Sequence, residues 1–212
     1  MKNLLLACGL LAGTVQLAVA EEGWPEGDPA SGEAQAAICA ACHGQDGNSM
    51  VAQFPKLAAL GERYLYEQMV HIREGSRYVA QMAGQVDNKS DQEHADLAAY
   101  YDGLPRSGGQ TDPELRALGE TIYRAGVAER DVAACSGCHG PRGHGNELAG
   151  FPALAGQHAD YVGSQLQAYA KGYEQPGEGR YQEGGSKIMR AIAFGLSDLE
   201  IKAVSSYVAG LQ

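Results

Sequence analysis

The pattern C-x-x-C-H occurs twice in this chain, as Cys39, Cys42 and His43 and again as Cys135, Cys138 and His139, 96 residues later. It recurs inside a longer repeat. Phe54-Pro55-x-Leu57-Ala58 returns as Phe151-Pro152-x-Leu154-Ala155 at an offset of 97, as do Tyr64, Gln68 and Gly75 in Tyr161, Gln165 and Gly172. Met82, Ser90-Asp91, Glu93, Tyr100 and Gly103-Leu104 return as Met189, Ser197-Asp198, Glu200, Tyr207 and Gly210-Leu211 at 107. The order is kept throughout, so the chain folds as two copies of one unit. The ten extra residues of the second copy fall in a Gly-rich stretch ahead of Met189, and a loop is where an insertion is tolerated.

These matches set the expected boundaries: a first domain over residues 21–106, a linker over 107–111 and a second domain over 112–212. The stretch PRSGGQTD, from Pro105 to Asp112, has linker composition, and each copy has the size of one compact domain. Residues 1–20 lie outside the repeat. Lys2, a mostly apolar run from Leu4 to Val19 and Ala18-Val19-Ala20 ahead of Glu21 read as a cleaved secretory signal peptide. Gly9, Gly13 and Gln16 interrupt the run too often for a membrane anchor, and too little apolar sequence precedes Cys8 for a lipid-attachment site. Export from the cytoplasm follows. The formal charge of −10, with scattered Lys and Arg, excludes a nucleic-acid partner.

The local pattern is helical. SDQEHADLAAYYDGL opens with a capping box, Ser90 and Glu93, and SDLEIKAVSSYVAGL repeats it with Ser197 and Glu200. Leu97, Tyr100 and Tyr101 then follow at helical spacing, as do Ile201, Val204, Tyr207 and Val208. Gly103 and Gly210 suit C-terminal stops. GERYLYEQMVHIREG and HADYVGSQLQAYAKG supply middle helices, and DPELRALGETIYRAG is expected to start with Asp112 as cap and Pro113 in the first turn. No β-branched alternating run is present. The expected fold is mainly α.

Three chemistries compete for C-x-x-C-H. Structural zinc pairs stand about 15–20 residues apart, whereas these pairs lie in separate domains. Thiol–disulfide exchange needs a βαβ setting and gives the histidine no task. Covalent haem uses every residue: two cysteines form thioethers to one porphyrin and the adjacent imidazole ligates its iron. Met82 and Met189 are the methionines at equivalent places in the two copies and are the candidate distal ligands, soft donors that favour ferrous iron. Met50 and Met69 read as core filler. His71, His94, His144 and His158 could make a bis-histidine site, but none is duplicated. The carbonyls of Pro55 and Pro152 could orient the histidines; on sequence alone a proline that only turns the chain serves equally.

On these residues the mature chain resembles the dihaem cytochrome c4 family. CAACHGQDGNS, FPKLA, GERYL and SDQEHADLAAYY resemble its first half; CSGCHGPRGHGNELAGFPALAGQHADY, IMR and LSDLEIKAVSSYVAGL resemble its second. The resemblance implies a tandem duplication of a cytochrome c-type helical domain, pseudo-twofold related, with two covalently bound haem c groups. It implies Cys39, Cys42, Cys135 and Cys138 as thioether residues, His43 and His139 as proximal ligands, and Met82 and Met189 as distal ligands. It also implies that the Pro55 and Pro152 carbonyls orient the histidines. The implied function is periplasmic electron transfer without catalysis or a small-molecule substrate. A membrane quinol-oxidising complex would be the donor and a terminal oxidase or other reductase the acceptor, with room for loose membrane association. Two other classes compete: the cytochrome subunit of a larger dehydrogenase, such as a sulfide-oxidising flavocytochrome c, and a dihaem peroxidase, against which the duplicated methionine argues. The acidic EEGWPEGDPA segment departs from the family pattern.

Overall fold

The computed structural model describes residues 23–175, 178–181 and 186–212. The signal peptide expected over residues 1–20 lies outside them. The first half carries α1 (Pro29–Gln35), α2 (Ala40–His43), α3 (Glu62–Arg73) and α4 (Asp91–Asp102). The second carries α5 (Arg116–Ala125), α6 (Ser136–His139), α7 (Ala159–Glu174), α8 (Ser186–Phe194) and α9 (Asp198–Ala209). In the first half α4 packs on α1 and α3; in the second α9 packs on α5 and α7, which also packs on α8. Among the described residues the only β structure is two isolated bridges, Val127–Val132 and Asn146–Phe151.

The last helix of each copy begins with the expected capping box. Ser90 Oγ accepts from the Glu93 N–H at 3.2 Å while Glu93 Oε2 accepts from the Ser90 N–H at 2.8 Å. Ser197 and Glu200 repeat this at 3.4 and 2.8 Å. α5 departs from expectation. Asp112 folds the chain into a preliminary turn, its carboxylate accepting from the Glu114 N–H at 2.9 Å and its carbonyl from the Leu115 N–H at 3.1 Å. The helix itself begins at Arg116. Gly103 and Gly210 do follow α4 and α9, but with φ of −70° and −94°, so neither makes a left-handed stop. Gly210 is needed for space instead: a Cβ there would lie 2.0 Å from Thr111 Oγ1.

The crossings of α1 on α4 and of α5 on α9 are closed by glycines. A Cβ on Gly32 would sit 2.0 Å from the Asp96 carbonyl oxygen, and one on Gly119 would sit 2.3 Å from that of Ala203. Asp96 and Ala203 are equivalent positions of the repeat, so both domains bring their helix backbones into direct contact at the same point. The two cores differ in size. Leu60, Leu65, Leu97 and Tyr101 form the first with Ala36 and Ala98. The second adds larger side chains, including Ile122, Tyr123, Leu166, Tyr169, Ile201 and Tyr207. Met69 packs against the first core as expected. Met50 does not: it is 94% exposed, and the core-filler reading fails for it. Within the insertion of the second copy, the Arg180 N–H donates to the Ala168 carbonyl of α7 at 3.0 Å. Beyond it α8 carries Met189, where the first copy has only a 3₁₀ turn, Ala80–Met82.

Two outcomes follow from this packing. Gly119→Ala should destabilise the protein by about 1–3 kcal/mol in denaturant unfolding, because a helix crossing with no spare volume must separate. The second concerns acid. The hydroxyl of Ser197, with help from Arg130, holds the Glu200 carboxyl down to about 2. A lowered carboxyl stabilises the fold above its ordinary value, about 4.3, and that contribution is lost as pH falls toward 2. Glu200→Gln should therefore lower Tm at neutral pH and flatten the acid limb of a Tm–pH profile over that window.

Candidate functional site

Each C-x-x-C-H segment winds into a single helical turn. The Cys39 carbonyl accepts from the N–H groups of Cys42 and His43 at 3.2 and 3.0 Å. The Cys135 carbonyl accepts from those of Cys138 and His139 at 3.3 and 2.9 Å. A glycine ends each turn, Gly44 at φ 82° and Gly140 at φ 79°, a left-handed conformation that a side chain would resist. The histidines are then held from outside the turn. His43 Nδ1 lies 2.9 Å from the Pro55 carbonyl oxygen and His139 Nδ1 lies 2.8 Å from that of Pro152. The aromatic residue before each proline stands against the same ring, Phe54 at 6.3 Å and Phe151 at 6.2 Å between centroids.

A carbonyl only accepts, so Nδ1 carries the proton and Nε2 is bare. Both rings are buried, and burial pushes their pKa values down against the opposing pull of the proline carbonyl. The neutral imidazole with a bare Nε2 is the form that binds a metal. None of the four cysteines is in a disulfide. Burial raises the Cys39 thiol and pushes the Cys135 thiol up to about 11, the reverse of what thiolate exchange requires. Among the described residues no three His, Cys, Asp or Glu side chains converge on a bare metal ion. Zinc and thiol redox chemistry both fit poorly.

The second domain contains a cavity lined by Cys135, Cys138, His139, Phe151, Pro152 and Met189 together. Its other walls are largely apolar, among them Leu166, Tyr169, Ile192, Leu196, Val204 and Val208. Two cysteines, an imidazole and a thioether around an apolar space match the chemistry of a porphyrin bound through thioethers. In the first domain Cys39 and Met82 are half-buried and Cys42 is exposed. The remaining histidines scatter. His71 faces the second domain's cavity from α3, His94 is fully buried on Val86, His144 is exposed, and His158 Nε2 meets the Ser49 carbonyl at 2.8 Å.

The cavity also reaches the first domain, since Leu60, Tyr64, Gln68 and His71 line it. Here the two halves are joined by polar contacts. Arg77 donates to Gln68 of its own domain at 2.7 Å and to Gln165 of the other at 3.0 Å. Arg180 donates to Gln165 at 2.9 Å and to Gln68 at 2.6 Å. This exchange of partners is what a pseudo-twofold relation between domains produces. Lys56 forms a second tie. Its ammonium donates to the carbonyls of Ser107 and Gly156 at 2.8 Å each, and its backbone exchanges two hydrogen bonds with the Gln157 amide at 2.9 and 2.8 Å. Arg106 donates to the carbonyls of Ala58 and Ala153 at 2.6 and 3.2 Å. Sequence reasoning found none of these roles, although Gln68 and Gln165 were visible as a duplicated polar pair in otherwise amphipathic helices.

The family model for cytochrome c matches this chain twice, at residues 30–104 and 117–212. Cytochrome c4 from Pseudomonas aeruginosa is 47% identical over the whole of both chains. The chain belongs to the dihaem cytochrome c4 family. The reduced cytochrome c4 structure from Pseudomonas stutzeri superposes with a TM-score of 0.82 at 44% identity, covering 88% of this chain and all of that one. A protein named thiosulfate dehydrogenase electron acceptor, from Stutzerimonas stutzeri, is 34% identical over 83% of this chain and 80% of its own. Membership of the cytochrome c4 family makes the protein a carrier of two covalently bound haem c groups and an electron-transfer protein rather than an enzyme.

The interface predicts its own test. Lys56→Met leaves the carbonyls of Ser107 and Gly156 without their donor and should cost about 1–3 kcal/mol in unfolding experiments. The visible spectra of both haems should be unchanged, since the substitution keeps the Lys56 backbone and the lost ammonium contacts no residue of either C-x-x-C-H turn.

Proposed function

We propose that residues 21–106 and 112–212 each hold one haem, joined by a linker over 107–111. In this reading Cys39 and Cys42, and Cys135 and Cys138, form the thioethers, His43 and His139 are the proximal ligands, and Met82 and Met189 are the distal ones. The observation that carries the reading is the second domain's cavity, which gathers Cys135, Cys138, His139 and Met189 around one apolar space. The matched imidazole–proline bonds support extending it to the first domain.

The bound cofactor supplies an iron that takes up and releases one electron per domain. The protein's part is to keep that change small. Pro55 and Pro152 fix the ring plane and tautomer of each histidine, which raises the ligand's basicity and removes rotational freedom. Met82 and Met189 present a soft thioether that favours the ferrous state and raises the potential. Side chains such as Leu166, Leu196 and Val208 exclude water, so little solvent has to reorganise around the changing charge.

The proposed setting is the periplasm, reached through the signal peptide of residues 1–20. The proposed donor is a membrane quinol-oxidising complex and the acceptor a terminal oxidase or another reductase. The relative named thiosulfate dehydrogenase electron acceptor favours a second reading, in which a dehydrogenase is the donor. Met82→Ala and Met189→Ala test the ligand assignment. Each should remove about half of the weak red-edge charge-transfer band of methionine-ligated ferric haem and lower the potential of its own domain only. Full retention of the band in either variant would contradict the assignment.

A further inference from the structure

Met82 and Met189 hold matched places in the repeat but are carried differently. Met189 rides on α8, a nine-residue helix packed against α7, and its side chain joins the second domain's core. Met82 ends a three-residue 3₁₀ turn within a string of tight turns. The Met82 N–H donates to the Val79 carbonyl at 2.9 Å, the Gln85 N–H to the Met82 carbonyl at 3.0 Å, and the Lys89 N–H to the Val86 carbonyl at 3.1 Å. Such a segment has little of its own to hold it rigid.

Its fastening is Val86, which is 3% exposed, and a histidine behind it. His94, on α4, is 0% exposed, and its Nε2 lies 3.2 Å from the Val86 carbonyl oxygen. His94 Nδ1 is buried without a hydrogen-bond partner. The carbonyl accepts only, so Nε2 carries the proton and the ring is neutral. In the second domain the same helix position, four residues past the capping serine, is Ile201. A histidine thus stands where the ligand loop needs an anchor, and an aliphatic residue stands where a helix does that task.

We propose that His94 is a positioning residue for the distal ligand of the first domain: by donating to Val86 it holds the turns that present Met82. The proposal rests on the assignment of Met82 as that ligand. It also makes the first domain acid-sensitive. A second proton would leave Nδ1–H buried with no acceptor. Burial disfavours that proton and outweighs the Val86 carbonyl, which favours it; Arg73 from α3 and Lys89 from the loop also disfavour it, while Asp91 on α4 favours it. Because the folded ring resists protonation, its contribution is complete above the ordinary histidine value of about 6.5 and is lost as pH falls below it.

The test uses the ferric holoprotein with cyanide as the probe, because cyanide enters only when the methionine leaves. His94→Ile should speed cyanide binding at the first domain about tenfold, the order of effect expected from one buried hydrogen bond, and leave the second domain unchanged. His94→Gln, which keeps an N–H donor at the place of Nε2, should return the rate to within about twofold of the parent. An unaltered first-domain rate in His94→Ile, or a Gln variant no better than Ile, overturns the proposal. Should the Ile variant fail to assemble, the charge-transfer band decides. The parent should lose its Met82 part, read in a Met189→Ala background, at higher pH than its Met189 part, read in a Met82→Ala background. His94→Gln should close that gap, and a parent without a gap overturns the proposal. Loss of the ligand assignment itself is recognised separately, by a Met82→Ala variant that keeps the full band.

Discussion

An imidazole with one nitrogen committed to a proline carbonyl has a single direction left for the other, and both domains are organised around that constraint. The Phe-Pro segment that accepts from each histidine is itself clamped. The N–H groups of Leu57 and Ala58 donate to the Gly47 carbonyl at 2.7 and 3.2 Å, and those of Leu154 and Ala155 to the Gly143 carbonyl at 2.7 and 2.9 Å. Gly47 and Gly143 have φ of 70° and 72°. The glycine-rich stretch after each motif thus turns the chain so that the proline can reach back over the ring. The helices α4 and α9, crossed by α1 and α5, supply the frame on which this small assembly is mounted.

Much of this was legible in the sequence because it is local. A capping box, a C-x-x-C-H turn and an apolar stripe are each decided within a few residues, and their duplication removed the ambiguity that one copy would leave. The failures have a common physical source. Asp112 does cap a turn, but one residue pattern cannot say whether a turn leads directly into the helix. Gly210 was legible as a helix end, while its reason for being glycine, the approach of Thr111, depends on a contact 99 residues away in the chain. Met50 looked like filler by type alone and is exposed. Gln68 and Gln165 were seen to be duplicated, but duplication says that a residue is used twice, not that its two copies face one another.

That interface gives the pair of domains a defined relation. Its buried groups are guanidinium, amide, ammonium and carbonyl, joined by hydrogen bonds that are directional where apolar contacts would not be. Two arginines bonded to the same two glutamines resist sliding, and Lys56 pins the linker to both sides. Electron transfer depends steeply on the separation of the two centres, so a carrier with two cofactors benefits from a joint that cannot slip. Against this shared joint the domains differ in how they hold their methionines, by turns in one and by a helix in the other. Copies of one unit can therefore carry matched methionines on segments of different structure.

The central claim is that both irons are held by one histidine and one methionine. Iron-edge X-ray absorption on the fully loaded protein measures this directly. The account predicts one sulfur and five nitrogen neighbours per iron, in the ferric and the ferrous protein alike. An average of half a sulfur per iron would mean that one domain uses a different ligand, and none would remove methionine from both.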